Sequence, residues 1–363
     1  MESIKIIQPS IPRYRLPFYN NLSLIYSNKF KVYYSSGDLG ILTKKVKKDW
    51  AISLGSEKKL PLKLAWQSNV SWIKISKSDI IVLSGNPRYI STIILLLRAK
   101  CYGAKIVWWG HYWSSSSRKW RQYLRFLPMY LSSAILFYTD EEVVAFEKEC
   151  KIKNRKCIVS ALNNGLEIKD IEEVRGFYNP TNRYPEFLFI GRLTEKTKLE
   201  TLFEALSILE HKAPLINIIG DGPLREHLED FAKSLGVNCK IIWHGGLTTE
   251  RDISVIANRC LGFIYPGEVG LSLIHAMAYG LPAIVHNNNK LHMPEISAFG
   301  HGLTGLTFKY NDATSLSNTI SKFTLDSRAL EYYSEEALKV VKKKYNTDNM
   351  TVRFLELIEN LGR

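Results

Sequence analysis

The alternation of short apolar runs with longer amphipathic segments is the feature that most constrains the fold of this chain. The runs are rich in Ile, Val, Leu and Phe and are bounded by glycine, proline or charged residues. Such runs predict buried strands, and strands that alternate with helices predict parallel βαβ units. In the first half, strands are predicted at 3–7, 79–83, 105–109 and 134–139, and helices at 89–100 and 141–150.

The same alternation starts again after a turn-rich segment at 175–182. Further strands are predicted at 186–190, 214–219, 239–243, 262–265 and 282–285, with a helix at 199–211 and others between the later strands. We therefore predict an α/β protein with two doubly wound, Rossmann-like domains, which suits a length of 363 residues. The predicted domains are 1–175 and 176–345, and a C-terminal helix at 346–363 is expected to return to the first domain. Ligands collect at the carboxyl ends of the strands in such sheets, so we expect a ligand-binding enzyme with a cleft between facing domains.

The excess of positive charge is confined to the first half of the chain. Residues 1–180 contain 29 Lys and Arg against 14 Asp and Glu, a balance of +15, whereas residues 181–363 have a balance of −1. Seven of the eight tryptophans also lie in the first half. A basic, aromatic surface favours either nucleic acid or an anionic membrane as a partner, and no nucleic-acid-binding motif is present. We therefore expect an anionic membrane surface and no nucleic acid as partners.

Residues 118–127 have the composition of a helix that lies on a membrane surface. Its basic and amide side chains share one helical face and its apolar ones another: Arg118, Gln122 and Arg125 against Trp120, Tyr123, Leu124 and Leu127. Trp and Tyr beside Lys and Arg suit the interface of an anionic bilayer. An ordinary surface helix that packs on its own domain is the alternative. A second basic cluster, at residues 44–48, is typical of a solvated loop.

No segment has the length or composition of a membrane span. The apolar stretches without a charge are shorter than the roughly 18–20 residues that a spanning helix needs. The first residues show no secretory signal, and the five cysteines include no C-x-x-C pair. We expect a soluble or surface-bound protein in a reducing compartment, with neither a disulfide framework nor a zinc site.

Three segments of the second half place glycine and polar or charged residues directly after a predicted strand. They are residues 189–198, 219–223 and 265–282. In the first segment, Gly191 lets a ligand approach the backbone, and Arg192 supplies a cation for phosphate oxygens. In the third, the helix start around Val269 to Ser272 predicts an anion site made of backbone amides. A solvated loop and a plain strand-to-helix turn are the alternatives for the first two segments.

At these spacings, the three segments resemble the donor domain of family-4 retaining glycosyltransferases, which have the GT-B architecture of two Rossmann-like domains. The matching residues are Gly191-Arg192-Leu193, Ile219-Gly220-Asp221-Gly222-Pro223-Leu224 and the stretch from Gly270 to Pro282. The resemblance covers residues 185–310 well. In the first half, Trp109-Gly110-His111 and Asn163-Asn164-Gly165-Leu166 are similar to short motifs of the related enzymes. Neither a Walker lysine nor a G-x-G-x-x-G motif follows a strand, which points away from NTPases and dinucleotide oxidoreductases.

The resemblance implies metal-independent transfer of a sugar from a nucleotide diphosphate donor, linked to uridine or guanosine, with retention at the anomeric carbon and no cofactor. Arg192 and a nearby lysine would bind the diphosphate and stabilise the leaving group. Lys198 is favoured for this lysine, and Lys196 remains open. The implied donor-binding residues are Gly191, Arg192, Lys198, His244, Gly245, Val269, Gly270, Leu271, Ser272 and His275. Within this set, the amides of 269–272 would hold phosphate and His244 would lie near the base.

The implied catalytic residues are His111, which would face the donor sugar, and Glu268. The family has two glutamates eight residues apart, of which the first lies near the sugar and the second near the ribose. The second position is His275 here, and the first is Gly267, so that Glu268 is displaced by one residue. A histidine can hydrogen-bond a ribose hydroxyl, so the substitution need not abolish binding. Glu295 beside Pro294 is predicted to be a helix-start residue rather than a ligand contact.

The expected function is transfer of a sugar from a nucleotide donor bound by residues 176–345 to a glycan acceptor bound by residues 1–175, most simply a lipid-linked one. The expected pathway is the synthesis of a bacterial surface polysaccharide such as O-antigen, capsule or exopolysaccharide. The enzyme is expected on the inner face of the cytoplasmic membrane as a peripheral protein. Two alternatives remain open: a GT-B epimerase that acts on a nucleotide sugar, and a catalytically silent glycosyltransferase-like scaffold, which is suggested by His275.

Overall fold

The structure, a computed structural model, describes residues 3–35, 46–112, 126–149 and 157–362. The chain divides into two compact units. The first unit comprises residues 1–163 and 347–363, and the second comprises residues 164–346. The last helix of the chain, Thr347–Gly362, is therefore part of the first unit.

The first unit contains a seven-stranded sheet in the order β3-β2-β1-β6-β7-β8-β9, in which every neighbouring pair is parallel. The strands are β1 Ser3–Gln8, β2 Phe30–Tyr34, β3 Ala51–Ser53, β6 Asp79–Ser84, β7 Lys105–Trp109, β8 Ala134–Phe137 and β9 Ile158–Ala161. A separate antiparallel hairpin is formed by β4 Glu57–Leu60 and β5 Leu64–Gln67. The helices are α1 Leu16–Tyr26, α2 Ile90–Cys101, α3 Asp140–Glu149 and α11 Thr347–Gly362, and residues 126–131 are also helical.

Successive residues of the first sheet pack into two separate cores, because side chains alternate between the faces of a strand. Ile4 and Ile6 of β1 face one core, where they meet α1 and α11. Ile7 of the same strand faces the other core, where α2 packs. In the first core, α11 buries five apolar side chains: Met350, Phe354, Leu357, Ile358 and Leu361. A helix that is remote in sequence thus covers one face of the first sheet.

The second unit contains a six-stranded, all-parallel sheet in the order β12-β11-β10-β13-β14-β15. Its strands are β10 Tyr184–Ile190, β11 Leu215–Ile219, β12 Ile241–Gly245, β13 Cys260–Tyr265, β14 Ala283–His286 and β15 Gly305–Phe308. The helices are α4 Lys169–Val174, α5 Leu199–Leu209, α6 Arg225–Ser234, α7 Glu250–Ala257, α8 Leu271–Ala278, α9 Ala313–Leu325 and α10 Ser327–Lys344. Strand order reverses between β10 and β13, which makes the carboxyl ends of these strands a crevice where ligands bind in doubly wound sheets.

The predicted fold class is confirmed: both units are α/β, with Rossmann-like parallel sheets. The predicted strands and helices are present with ends shifted by a few residues, as in β12, which starts at Ile241 rather than at residue 239. The strands β2, β3, β9 and β15 were not predicted. Of these, β3, β9 and β15 are edge strands of only three or four residues, which give a short apolar signal, whereas β2 has five residues and lies beside β3. The hairpin strands β4 and β5 were not predicted either.

Most of the predicted membrane-surface helix lies outside the described residues, which include only Phe126 and Leu127 of it; both belong to the helical stretch 126–131. Lys44 and Lys45 also lie outside the described residues. In the ranges that are described, no helix combines the length and the apolar character needed to cross a bilayer.

Glycines at the strand ends let neighbouring loops touch through their backbones. Gly85 follows β6 and Gly110 follows β7, and a Cβ on Gly85 would lie 2.4 Å from the Cα of Gly110. In the second unit, Gly191 follows β10 and Gly220 follows β11. A Cβ on Gly220 would lie 1.9 Å from the Gly191 carbonyl oxygen, and its φ of +146° is unfavourable for other residues. The same device therefore brings loops together at the carboxyl edge of each sheet.

We expect Gly220→Ala to destabilise the second unit strongly, because backbone rather than a mobile side chain occupies the space of the new methyl group. Overpacking against backbone at a strained φ should cost at least about 3 kcal/mol and lower the melting temperature clearly. Gly246→Ala is the matched control, since nothing lies within 4 Å of the position that its new methyl group would take. Equal melting temperatures for the two variants in a thermal-shift assay would contradict the close approach.

Candidate functional site

The loops after β10, β11, β12 and β13 converge on the carboxyl edge of the second sheet. The loop after β10 carries Arg192 and Lys198, and the loop after β13 leads through Glu268 into α8. The two loops are tied together by their backbones: the Glu268 amide donates to the Lys196 carbonyl oxygen at 2.9 Å. Gly267 permits this approach, because a Cβ there would lie 1.9 Å from the same carbonyl oxygen.

Of the two candidate lysines, one is held in an ion pair and the other is not. The Lys196 ammonium lies 2.5 Å from Oε2 of Glu268, which is half-buried. Lys198, at the start of α5 in a left-handed conformation, forms no ion pair with any described residue. The charge of Lys196 is thus offset by Glu268, whereas that of Lys198 is available to an anion. Arg192 is exposed in the same loop.

The helix start that was predicted to bind an anion has three backbone amides with no acceptor among the described residues. These are the amides of Gly270, Leu271 and Ser272, at the first turn of α8. The Val269 amide differs, because it donates to Nδ1 of His292 at 3.1 Å. The first two amides of a helix and the one before them point toward the same region and favour negative charge there.

His292 holds this loop as a neutral imidazole. Its Nδ1 accepts from the Val269 amide, and its Nε2 lies 2.9 Å from the His286 carbonyl oxygen, so the proton is on Nε2. Burial lowers the pKa of His292, and burial together with neighbouring His292 lowers the pKa of His286 to about 3. The two stacked rings therefore position the loop without adding positive charge to it.

His275 is paired with a carboxylate that the sequence analysis did not identify. Its Nε2 lies 2.9 Å from Oε2 of Glu250, the first residue of α7, and the Tyr279 hydroxyl donates to the same oxygen at 2.8 Å. Burial alone would raise the pKa of Glu250, but the hydrogen bonds from His275 and Tyr279 hold it below its usual value. Glu250 is thus ionised, and His275 donates to it through Nε2. Only the tertiary structure brings this carboxylate to position 275.

His244 also lies at the carboxyl edge, at the end of β12 beside Gly245. Its Nε2 lies 2.9 Å from Oδ1 of Asn217, whose amide nitrogen donates to Glu186 at 2.7 Å. Burial, with the nearby Arg259 cation, lowers the pKa of His244. The neutral ring is fixed by this chain of hydrogen bonds and is half-buried.

Glu295, predicted to be a helix-start residue, follows Pro294 at the start of a short 3₁₀ turn. Its side chain is buried, and Oε1 accepts from the Asn164 side-chain amide at 2.6 Å. The other carboxylate oxygen lies near Gly270, since a Cβ on that glycine would be 3.6 Å from it. The Asn163–Leu166 motif therefore connects with the loop before α8 through Asn164.

In the first unit, His111 lines a cavity of about 690 Å³ at the carboxyl edge of that unit's sheet. Its ring centroid lies 4.2 Å from that of Tyr138, and Nδ1 lies 3.6 Å from Oε1 of the buried Glu142. The side chain is 40% exposed. The structure thus places this predicted catalytic residue at a cavity wall, beside a carboxylate that the sequence analysis did not identify.

The second unit matches a known protein family. Residues 170–340 match the family described as Glycosyl transferases group 1. This match confirms the predicted resemblance to glycosyltransferases for residues 170–340. An uncharacterized glycosyltransferase of Methanocaldococcus jannaschii, MJ1607, is 31% identical over 48% of this chain and 46% of its own length.

Two further proteins are similar. The lipopolysaccharide 1,6-galactosyltransferase of Salmonella typhimurium is 28% identical over 33% of this chain and 37% of its own length. The chain thus spans less than half the length of the curated relatives that it matches. The crystal structure of Anabaena Alr3699/HepE in complex with UDP has a TM-score of 0.74 at 14% identity and covers 99% of this chain and 100% of that chain. At this identity, the similarity shows a shared fold.

Proposed function

We propose that this protein is a glycosyltransferase whose second unit binds a nucleotide diphosphate sugar. The observation that carries the proposal is the convergence of Lys198, Arg192 and three amides without acceptors at the carboxyl edge of a sheet in the segment that matches the glycosyltransferase family. Cations and helix-start amides together suit a diphosphate. The complex of Alr3699/HepE with UDP supports a nucleoside diphosphate as the ligand.

In the proposed reaction, the chain's own cations stabilise the departing nucleoside diphosphate. Arg192 and Lys198 would carry the charge that develops on its leaving oxygen, and the amides of 270–272 would hold the second phosphate. Gly191 and Gly245 would let the donor approach the backbone, and His244 would lie near the base. Metal independence, hexosyl transfer and the retaining mechanism of family 4 belong to the same proposal.

We further propose a lipid-linked glycan as the acceptor, in the synthesis of a surface polysaccharide such as O-antigen or capsule. The similarity to a lipopolysaccharide galactosyltransferase supports this pathway, and the +15 balance of residues 1–180 supports peripheral binding to the inner face of the cytoplasmic membrane. An acceptor held in a membrane requires an enzyme that reaches the lipid surface.

Arg192→Ala should weaken binding of UDP or GDP by about 30- to 1,000-fold, because charge-assisted contacts to the diphosphate are worth on the order of 2–4 kcal/mol. Binding of the matching nucleoside should change little. Isothermal titration calorimetry measures both, and Lys233→Ala, on the surface of α6, serves as a control for lost positive charge. If the nucleoside loses as much affinity as the nucleoside diphosphate, the arginine has a structural role. If the wild-type protein binds no nucleotide, the scaffold alternative is favoured.

Glu268→Gln should reduce turnover steeply while the affinity for the nucleoside diphosphate is kept or improves. A carboxylate beside the donor stabilises positive charge on the sugar ring or accepts from sugar hydroxyls, and the amide does so more weakly. Product assays with and without acceptor measure the effect, and turnover of the donor sugar without acceptor would indicate the epimerase. Near-normal turnover would leave Glu268 with the sole role of pairing Lys196.

The same assay on His111→Ala tests the other proposed catalytic residue, whose loss should also lower turnover.

Binding to membranes should depend on acidic lipid and weaken as salt is added, because the attraction is electrostatic. Sedimentation with vesicles of phosphatidylcholine alone, and with vesicles that also contain phosphatidylglycerol, measures this dependence. Equal binding to both vesicles, or no binding to the acidic ones, is incompatible with the proposed surface.

A further inference from the structure

The cavity of the first unit is lined by basic side chains and by no acidic ones among the described residues. It lies where the loops after β1, β6, β7 and β8 meet, and its volume is about 690 Å³. Its described lining includes two arginines and a histidine, Arg15, Arg88 and His111, and no aspartate or glutamate. The rest of the lining consists of polar, aromatic, glycine and proline residues.

Arg15 is the most unusual residue of this cavity because it is a buried cation. Its exposed fraction is 5%, and its Nε is buried with no hydrogen-bond partner. The guanidinium carbon lies 4.4 Å from the ring centroid of Trp109 and 5.4 Å from that of Tyr138. Contacts with these ring faces hold the guanidinium at the end of α1 that adjoins the cavity.

Two carboxylates near the cavity, Glu142 and Glu57, accept hydrogen bonds from groups other than Arg15, and Oε2 of Glu57 is buried with no hydrogen-bond partner. Glu142 accepts from the amides of Tyr112 and Tyr138, both at 3.0 Å, and lies beside His111. Glu57 accepts from the Tyr89 hydroxyl at 3.1 Å. No described aspartate or glutamate forms an ion pair with Arg15.

A buried cation with no anion beside it is costly, since contacts with aromatic faces restore only part of the hydration that the cation has lost. Folded proteins therefore pair such groups or use them to bind ligands. We propose that Arg15 binds an oxyanion that enters this cavity. The oxyanion is the phosphate, diphosphate or carboxylate group of the acceptor. Its planar guanidinium suits two parallel hydrogen bonds to such a group.

That the bound anion belongs to the acceptor rests on the proposed function. That Arg15 binds an anion does not rest on it. Two sources have the same chemistry, namely the diphosphate that links a glycan to its lipid carrier and the carboxylate of an acidic sugar. Both present oxygens in the geometry that a guanidinium recognises.

The experiment titrates the full-length protein with inorganic pyrophosphate in the presence of saturating UDP, so that a nucleotide site in the second unit is already filled. Binding is followed by thermal shift and by tryptophan fluorescence, to which Trp109 should contribute because it contacts Arg15. We expect saturable binding by the wild-type protein and at least a 30-fold loss in Arg15→Gln. Arg15→Lys keeps the charge but lacks the two parallel donors, so its affinity should lie between the two.

Arg183→Gln is the matched control. The Arg183 guanidinium lies 4.4 Å from the ring centroid of Tyr178, as Arg15 does from Trp109, but it donates to the carbonyl oxygens of Ala257 and Cys260 at 2.8 Å. It also lies in the second unit. Its loss removes a cation from an aromatic ring and should leave the affinity for pyrophosphate unchanged.

Parallel titrations with sodium glucuronate distinguish the sources. Binding of pyrophosphate alone indicates a phosphate group, and binding of glucuronate alone indicates an acidic sugar; either result supports an oxyanion site if it needs Arg15. The proposal is overturned if neither anion binds, or if Arg15→Gln binds them as the wild-type protein does. If the wild-type protein binds these anions through Arg15 but neither binds a nucleotide nor transfers a sugar, the proposed function is refuted and the oxyanion site is not.

Discussion

The approach of backbone to backbone at the strand ends is the constraint on which the candidate sites depend. Gly191 and Gly220 let the loops after β10 and β11 touch where no side-chain carbon fits, and Gly267 lets the loop after β13 contact the segment that carries Lys196. Gly85 and Gly110 do the same in the first unit. Since each loop is held by its neighbour, polar residues that are distant in sequence gather at one edge of each sheet.

The hydrogen bonds of the second unit determine which groups remain for a ligand. The imidazoles of His292, His244 and His275 are each tied to a protein acceptor or donor. Glu268 offsets the charge of Lys196. The groups left without a described partner are the Lys198 ammonium and the amides of 270–272, which together favour an anion over a neutral ligand.

The two units use similar sheets in different ways. The second unit presents its cations in accessible loops, where Arg192 is exposed. The first unit buries Arg15 against Trp109 and Tyr138, at a cavity wall without acidic residues among those described. An exposed cation costs little and can bind a ligand that arrives with its own hydration, whereas a buried cation is already desolvated and gains more when an oxyanion joins it.

The sequence alone determined the α/β class, the two parallel sheets and most of their central strands, because apolar periodicity and glycine at strand ends are local signals. It also identified Arg192, Lys198 and the helix start at Leu271 as candidate donor-binding residues. It favoured Lys198 over Lys196 but did not identify Glu250, Glu142 or the ion pair of Lys196 with Glu268, since such pairs form between residues far apart in the chain. The hydrogen bond from the Val269 amide to His292 could not be predicted either, because only the folded chain brings the two residues together. Arg15 was not identified from the sequence, because its burial beside Trp109 is decided by packing, which no local pattern encodes.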